Sequence, residues 1–361
     1  MIDPRSLDIA PTLGTKSYRL GVIGTGGIVS GCHLPAYQSQ SWEVVRIASR
    51  SQDNARRVAE QFGIPRFSSR WEDVLEDPTV EVVDISLPSH LHPDVVKAAF
   101  AAGKHVMVQK PMANTLDEAK GMVAAAQKAG IKFAVNQNGR WDPAIRACKA
   151  LVDQGVFGQL ITASFELRTR QPWQEYWKDA ENYPRLMLLG MSIHHIDQFR
   201  FLFGEPEEVM AMTQKYPGQP WAGDSIASYA FRYASGLVAY GFDDGFPWNR
   251  DWTVKYRIEG VDAIARGDIG WPRGDYSSLE FTTLEHPDSW IRPAFSRKWF
   301  PEAFVGTMGD LFLAIENDME PTLSGTDNLR TLRLVEAAYL SAELKRTVRI
   351  DEISLDLPAA D

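Results

Sequence analysis

Along residues 18–138, short apolar runs alternate with stretches whose apolar positions recur roughly every three to four residues. Leu20-Gly21-Val22-Ile23 is such a run; it stops at Gly24-Thr25-Gly26-Gly27, and the spacing from Ile28 onward suits a helix through Tyr37. The alternation continues with strands at 43–48, 66–67, 80–85, 105–108 and 132–135 and helices at 53–62, 71–75, 93–102 and 115–129. Such a rhythm buries a parallel sheet between helical crossovers, and about six strands is the count of a doubly wound nucleotide-binding domain. Gly103 and Gly130 fall where helix ends favour left-handed backbone.

After a helix at 143–154 the period changes to two. Runs at 159–168, 209–214, 225–233, 237–243, 253–259 and 278–284 predict a mostly antiparallel sheet with one solvated face, and helices at 185–203, 304–318 and 326–345 cover the other. The fold class expected is α/β: a loose N-terminal arm over 1–17, a Rossmann-type dinucleotide-binding domain over 18–139, and an α+β domain over 140–361 with a large open sheet.

Composition narrows the chemistry. The chain has 361 residues, 44% hydrophobic and 24% charged, with a formal net charge of −9. That balance and the scattered cations argue against nucleic acid as a partner. Cys32 and Cys148 are the two cysteines, too few and too far apart for a disulfide framework or zinc site, so no metal is expected. No run is long and apolar enough to span a membrane, and the N-terminus lacks a signal-peptide pattern. The expectation is a soluble, cytoplasmic protein acting on a small molecule.

Two motifs carry chemistry. The turn after the first strand supplies the first two glycines of G-x-G-x-x-G, with Val29 at the third; its place between strand and helix suits backbone amides that cradle a pyrophosphate. Gly24, Thr25, Gly26, Gly27 and Ile28 are the residues of that cradle. At the end of the second strand, where a carboxylate would bond the 2'-hydroxyl of NAD, stand Ser49 and Arg50, which favours NADP over NAD. The second motif is Gln109-Lys110-Pro111, closing an apolar strand. Proline stops the strand and leaves the lysine at its carboxyl end, the edge where open α/β sheets bind ligands, although a snorkelling surface lysine has the same local pattern.

With these landmarks the chain resembles the glucose-fructose oxidoreductase, inositol dehydrogenase and rhizopine-catabolism (Gfo/Idh/MocA) family of NAD(P)-dependent oxidoreductases. Four further segments carry the resemblance: Leu87-Pro88-Ser89-His90-Leu91-His92, Gly103-Lys104-His105-Val106, Asn138-Gly139-Arg140-Trp141-Asp142-Pro143 and Ile193-His194-His195-Ile196-Asp197. The resemblance implies that Lys110 lies at the nicotinamide and that His194 acts on a substrate hydroxyl, with Asp197 one turn on as its orienting partner or as a packing contact. It implies Leu87, Pro88, His92, Gln109 and Asn138 as cofactor neighbours. Arg140, Trp141, Arg168, Trp173 and His195 become substrate candidates. The substrate implied is a sugar, sugar acid, cyclitol or glycoside, and the assembly a homo-dimer or homo-tetramer.

Two departures stand out. The family's Glu-Lys-Pro is Gln109-Lys110-Pro111 here, which removes a carboxylate from beside the lysine and disfavours its ammonium form. The family's Asp-x-x-x-His reads Gly190-x-x-x-His194, so a carboxylate that would share the histidine's helix face is missing. These departures raise a nucleotide-binding sensor without turnover as an alternative; an NADPH-dependent keto-sugar reductase is a further one, favoured by a strong NADP preference. Eleven tryptophans, among them Trp221, Trp252 and Trp271, suit a sugar pocket as well as a core.

Overall fold

The computed structural model describes residues 3–170, 183–246, 252–271 and 274–358. It divides into two compact units, one built from Pro11–Asn138 and Phe300–Arg330, the other from Gly139–Trp299 and Thr331–Ser354.

The first unit holds six strands: β1 (Leu20–Ile23), β2 (Val44–Ala48), β3 (Phe67–Ser68), β4 (Val82–Ile85), β5 (His105–Gln109) and β6 (Phe133–Asn136). Their order is β3-β2-β1-β4-β5-β6 and every pairing is parallel. The chain reverses direction across the sheet between β1 and β4, so the carboxyl ends of these two strands flank the crevice where such sheets bind ligands. The strands are buried on both faces, which is why β1 reads as a continuous apolar run, and β4 as one broken only by Asp84, rather than as alternating ones. The helix Leu116–Ala129 begins with a reciprocal cap between Thr115 and Glu118 and ends at Gly130 in left-handed backbone, φ 65°.

Residues 300–330 pack with this unit although their sequence position groups them with the second domain. The helix Ala303–Glu316 puts Phe304, Met308, Leu311 and Phe312 into the core formed by Leu20, Val22, Tyr37 and Ile47. Each of these large side chains contributes about 1.5–3 kcal/mol by burial. The link back to the sheet is main-chain: Val135 N–H donates to the Leu323 carbonyl at 2.8 Å.

The second unit is an eight-stranded sheet. Its strands are β7 (Leu160–Arg168), β8 (Glu208–Gln214), β9 (Ile226–Arg232), β10 (Val238–Asp244), β11 (Thr253–Gly260), β12 (Ala263–Asp268), β13 (Glu280–Thr283) and β14 (Val348–Arg349), in the order β13-β12-β11-β7-β10-β9-β8-β14. The one parallel pairing is β7 with β10. Sequence periodicity misses β12, whose Gly267 lies so close to the segment leading into β13 that a Cβ would stand 2.0 Å from the Ser278 carbonyl oxygen. Its alternation is short: Ala263 and Ala265 are buried, but the apolar positions end at Arg266. The N-terminal arm is tied to the chain itself: Leu7 is fully buried, Asp8 pairs with Arg297 at 2.8 Å, and Thr15 bonds Glu316.

Candidate active site

The glycine turn leaves β1 at Gly24, whose φ of 121° and whose distance to the neighbouring strand both require glycine; a Cβ there would lie 2.2 Å from the Ser86 carbonyl oxygen. Gly26 and Gly27 differ: a Cβ on either meets nothing within 4 Å. The two exposed glycines therefore border open space at the start of a helix, which opens with a π-helical turn over Val29–His33 and continues through Leu34–Ser39. Backbone N–H groups bared in this way fit a pyrophosphate, and no side chain fills the place it would take. Ile28 turns to the core. Thr25 donates to Ser49 at 2.9 Å, joining the turn to the end of β2, while Arg50 is exposed and Ser51 caps the helix Gln52–Phe62.

At the end of β5 the peptide between Lys110 and Pro111 is cis, and Lys110 is half-buried. Burial pushes its ammonium pKa down to about 8. Gln109 is spent in two directions: its side-chain oxygen accepts the Lys110 backbone N–H at 2.7 Å and its nitrogen lies 3.1 Å from His33 Nε2. His92 is buried, with Nε2 2.9 Å from the Leu87 carbonyl and Nδ1 3.1 Å from those of Pro111 and Met112. Burial pushes its pKa down to about 4. Its imidazole, neutral and so with one N–H to give, sits between the loop through Leu87 and Pro88 and the turn after Lys110 and donates on one side only. Asn138 is buried just beyond β6.

In the second unit a π-helical turn over Leu188–Ser192 leads into the helix Ile193–Phe203. The Asp224 carboxylate accepts the backbone N–H groups of Leu186 and Leu188, at 2.8 and 3.0 Å, and the Tyr339 hydroxyl at 2.9 Å, and so satisfies orphan donors where this segment begins. His194 is mostly buried and stands edge-on to Trp299, ring centroids 5.8 Å apart, and Trp271 stands 6.4 Å from Trp299. The two tryptophans line a small cavity together with His194, His195 and Gln198. His195 lies flat on Phe165 at 4.9 Å and bonds Asp243 at 2.8 Å through Nδ1.

Several candidates are spent on structure. Asp197 holds Arg140 through two bonds of 2.6 and 2.7 Å and accepts the Thr331 hydroxyl at 2.7 Å. Both Asp197 oxygens are engaged by these two partners. Trp141 stacks under the Arg146 guanidinium at 4.5 Å, and Asp142 caps the helix Pro143–Asp153. Arg168 lies against Phe242 at 4.8 Å and pairs with Glu166 at 2.6 Å. Trp173 lies outside the described residues.

Sequence reasoning passed over His33, Tyr37, Asp84, Asp224, Asp243 and Trp299. The available signal was a carboxylate inside an otherwise apolar strand. Asp84 in Val82-Val83-Asp84-Ile85 and Asp243 in β10 are both fully buried and both bound to histidine.

Residues 18–137 match the oxidoreductase family with NAD-binding Rossmann fold, GFO_IDH_MocA, and residues 145–245 match the GFO/IDH/MocA C-terminal domain. D-apiose dehydrogenase of Paraburkholderia graminis is 28% identical over 368 residues, covering 97% of this chain and 94% of its own. The 1,5-anhydro-D-fructose reductase of Ensifer adhaerens is 30% identical over 248 residues, 68% of this chain and 72% of its own. A crystal structure of an oxidoreductase from Agrobacterium radiobacter, in complex with NAD+, L-tartaric acid and magnesium, superposes with a TM-score of 0.82 at 25% identity, covering 93% of this chain and 99% of that one. The fold and the glycine cradle define an NAD(P)-binding oxidoreductase. Within that class, the chain belongs to the Gfo/Idh/MocA family.

Among the described residues no group of three or more histidine, cysteine, aspartate or glutamate side chains is set to hold a metal. None of the described helices is long and apolar enough to cross a membrane.

Proposed function

We propose that this chain is a cytoplasmic NAD(P)-dependent dehydrogenase that oxidises a ring hydroxyl of a sugar, sugar acid, cyclitol or glycoside. The observation that carries the reading is Lys110: a half-buried lysine at the carboxyl end of β5, its pKa lowered to about 8, in a domain whose glycine turn fits a dinucleotide. The bound nicotinamide supplies a hydride acceptor. Lys110 donates a hydrogen bond to the reacting oxygen and stabilises its alkoxide character, and His194 takes the hydroxyl proton. Asp197 serves as a positioning residue for Arg140 rather than for His194. Ser49 and Arg50 favour NADP, since no carboxylate at the end of β2 repels a 2'-phosphate. The open face of the eight-stranded sheet, where Met210, Met212 and Tyr240 are about half exposed, suits pairing with a second copy into a dimer or tetramer.

A turnover assay over sugars, sugar acids, cyclitols and glycosides with NAD and NADP tests the reading. The expected result is reduction of one cofactor with at least one substrate, and a fall of about 10²–10⁴-fold in kcat for Lys110→Ala with cofactor affinity retained. Tight NADPH binding with no turnover across the panel favours the second reading, a nucleotide-binding sensor, which the missing carboxylate at Gly190 supports. An unchanged ratio of NADPH to NADH dissociation constants in Arg50→Ala removes Arg50 from cofactor choice.

A further inference from the structure

Buried side chains of the first unit form a continuous line from the core to Lys110. The Tyr37 hydroxyl donates to Asp84 Oδ2 at 2.8 Å, and His33 Nδ1 lies 2.6 Å from the same oxygen. Ser86 donates to the other Asp84 oxygen at 3.2 Å. On the opposite side of the ring, His33 Nε2 faces the Gln109 side-chain nitrogen at 3.1 Å and the Asn136 side-chain nitrogen at 3.4 Å. Gln109 closes the line on the Lys110 backbone N–H.

The direction of every proton in this line follows by elimination. A backbone N–H can only donate, so the Gln109 atom it meets is the carbonyl oxygen and the amide nitrogen must face His33. That nitrogen is a donor, so His33 Nε2 carries a lone pair, and its one ring proton sits on Nδ1 toward the Asp84 carboxylate. His33 is thus a neutral imidazole with both nitrogens satisfied, packed at 4.6 Å against Phe304 and fully buried. The charged and titratable groups that face it are Asp84 and Tyr37; burial and the Asp84 charge push the Tyr37 hydroxyl well above its ordinary pKa, so it remains a donor.

We propose that Gln109 is a positioning residue for Lys110: its amide locks the lysine's backbone N–H to a neutral His33 and keeps a carboxylate away from the ammonium. The inference rests on the proposed role of Lys110. A glutamate here could still accept the Lys110 N–H, but its second oxygen would meet the His33 lone pair. Two lone pairs at that separation repel until a proton enters the cluster, on the carboxylate or on His33 Nε2. A carboxylate that stayed charged would also hold the lysine proton more tightly. Glutamine avoids both outcomes, and the lysine exchanges its proton close to neutrality.

The test reads protons, not turnover. Full-length protein without ligand is labelled with acetic anhydride across neutral to alkaline pH, and the acetylated Lys110 peptide gives the midpoint of its titration in wild type and Gln109→Glu. Nitrogen-15 histidine spectra, with His33 assigned by its loss in His33→Gln, count the protonated ring nitrogens. The expected wild type has a Lys110 midpoint near 8 and one protonated His33 nitrogen at neutral pH. In Gln109→Glu, the Lys110 midpoint rises by about one pH unit, His33 becomes doubly protonated, or the new carboxyl stays protonated and shows a carboxylic-acid band in the infrared difference spectrum against wild type. A folded Gln109→Glu that shows none of these three changes overturns the proposal. So does a wild-type His33 that is doubly protonated at neutral pH, a result that needs no variant to fold. Turnover supplies the positioning readout: Gln109→Ala should lower kcat with the cofactor's KM unchanged, and an unchanged kcat overturns the role. A protein that oxidises nothing yet shows the expected proton shifts would sink the proposed function and leave the charge state of this cluster standing.

Discussion

The two units each contain a buried aspartate shared by one histidine and one tyrosine, and they finish the arrangement differently. In the first unit, His33 Nδ1 and the Tyr37 hydroxyl meet on Asp84; in the second, His195 Nδ1 and the Tyr229 hydroxyl meet on Asp243, at 2.8 and 3.0 Å. Each histidine stands at or just after a π-helical turn, over Val29–His33 and Leu188–Ser192, a feature often found at functional sites. In both, burial and the neighbouring carboxylate push the tyrosine pKa well up, so the tyrosine stays a donor. The difference lies at Nε2. His33 Nε2 is closed by Gln109 and Asn136, whereas His195 makes no hydrogen bond at that nitrogen among the described residues, and its ring stacks on Phe165 beside the cavity that His194 shares. One set of residues can therefore brace a strand end or present a ring edge. What closes the second nitrogen decides which.

The largest expected effect comes from removing the shared carboxylate. Asp84→Ala and Asp243→Ala each leave an imidazole N–H and a phenol buried without an acceptor, and each should lose about 3–5 kcal/mol in urea unfolding. The comparison breaks if one of the two is neutral, because that cluster would then be a packing accident.

Lys110 gives the next effect, with a pH signature. Its folded pKa of about 8 lies below the ordinary 10.5, so the unfolded chain binds this proton more tightly and the full penalty is present below about 8. It is relieved as pH rises from the folded value toward the unfolded one. Lys110→Met should therefore be more stable than wild type by about 3 kcal/mol at neutral pH, with the difference shrinking toward zero in strongly alkaline buffer. A pH-independent difference in melting temperature would mean that the lysine is solvated.

The smallest effect is expected from Tyr37→Phe and Tyr229→Phe. Each removes one of the donors to an aspartate that keeps its histidine, at a cost of about 1 kcal/mol by thermal unfolding. A much larger loss at Tyr229 would show that the second aspartate depends on its tyrosine more than on His195, and would set the two clusters apart.

Much of the fold is legible in the sequence because its signals are local. The glycine turn, the apolar runs of β1 and β4 and the period-two strands from β7 onward each reflect how a strand is buried, and that pattern is printed residue by residue. The departures at Gln109 and Gly190 are legible for the same reason. The destination of Ala303–Glu316 is not: an apolar helix can cover any apolar sheet, and only packing against Leu20, Val22 and Tyr37 assigns it to the first unit. β12 also escapes, since its alternating apolar positions stop at Arg266, too few to read as a strand.

The sequence by itself determined the family, the glycine turn after β1 and Lys110 at the end of β5, because motif spacing and strand periodicity act over a few residues. The tertiary structure alone decided that His33, distant in sequence, faces Gln109, that Asp197 belongs to Arg140, and that His92 is consumed by backbone carbonyls. Those are choices of partner, and a buried polar group takes whichever partner the fold brings within hydrogen-bond reach.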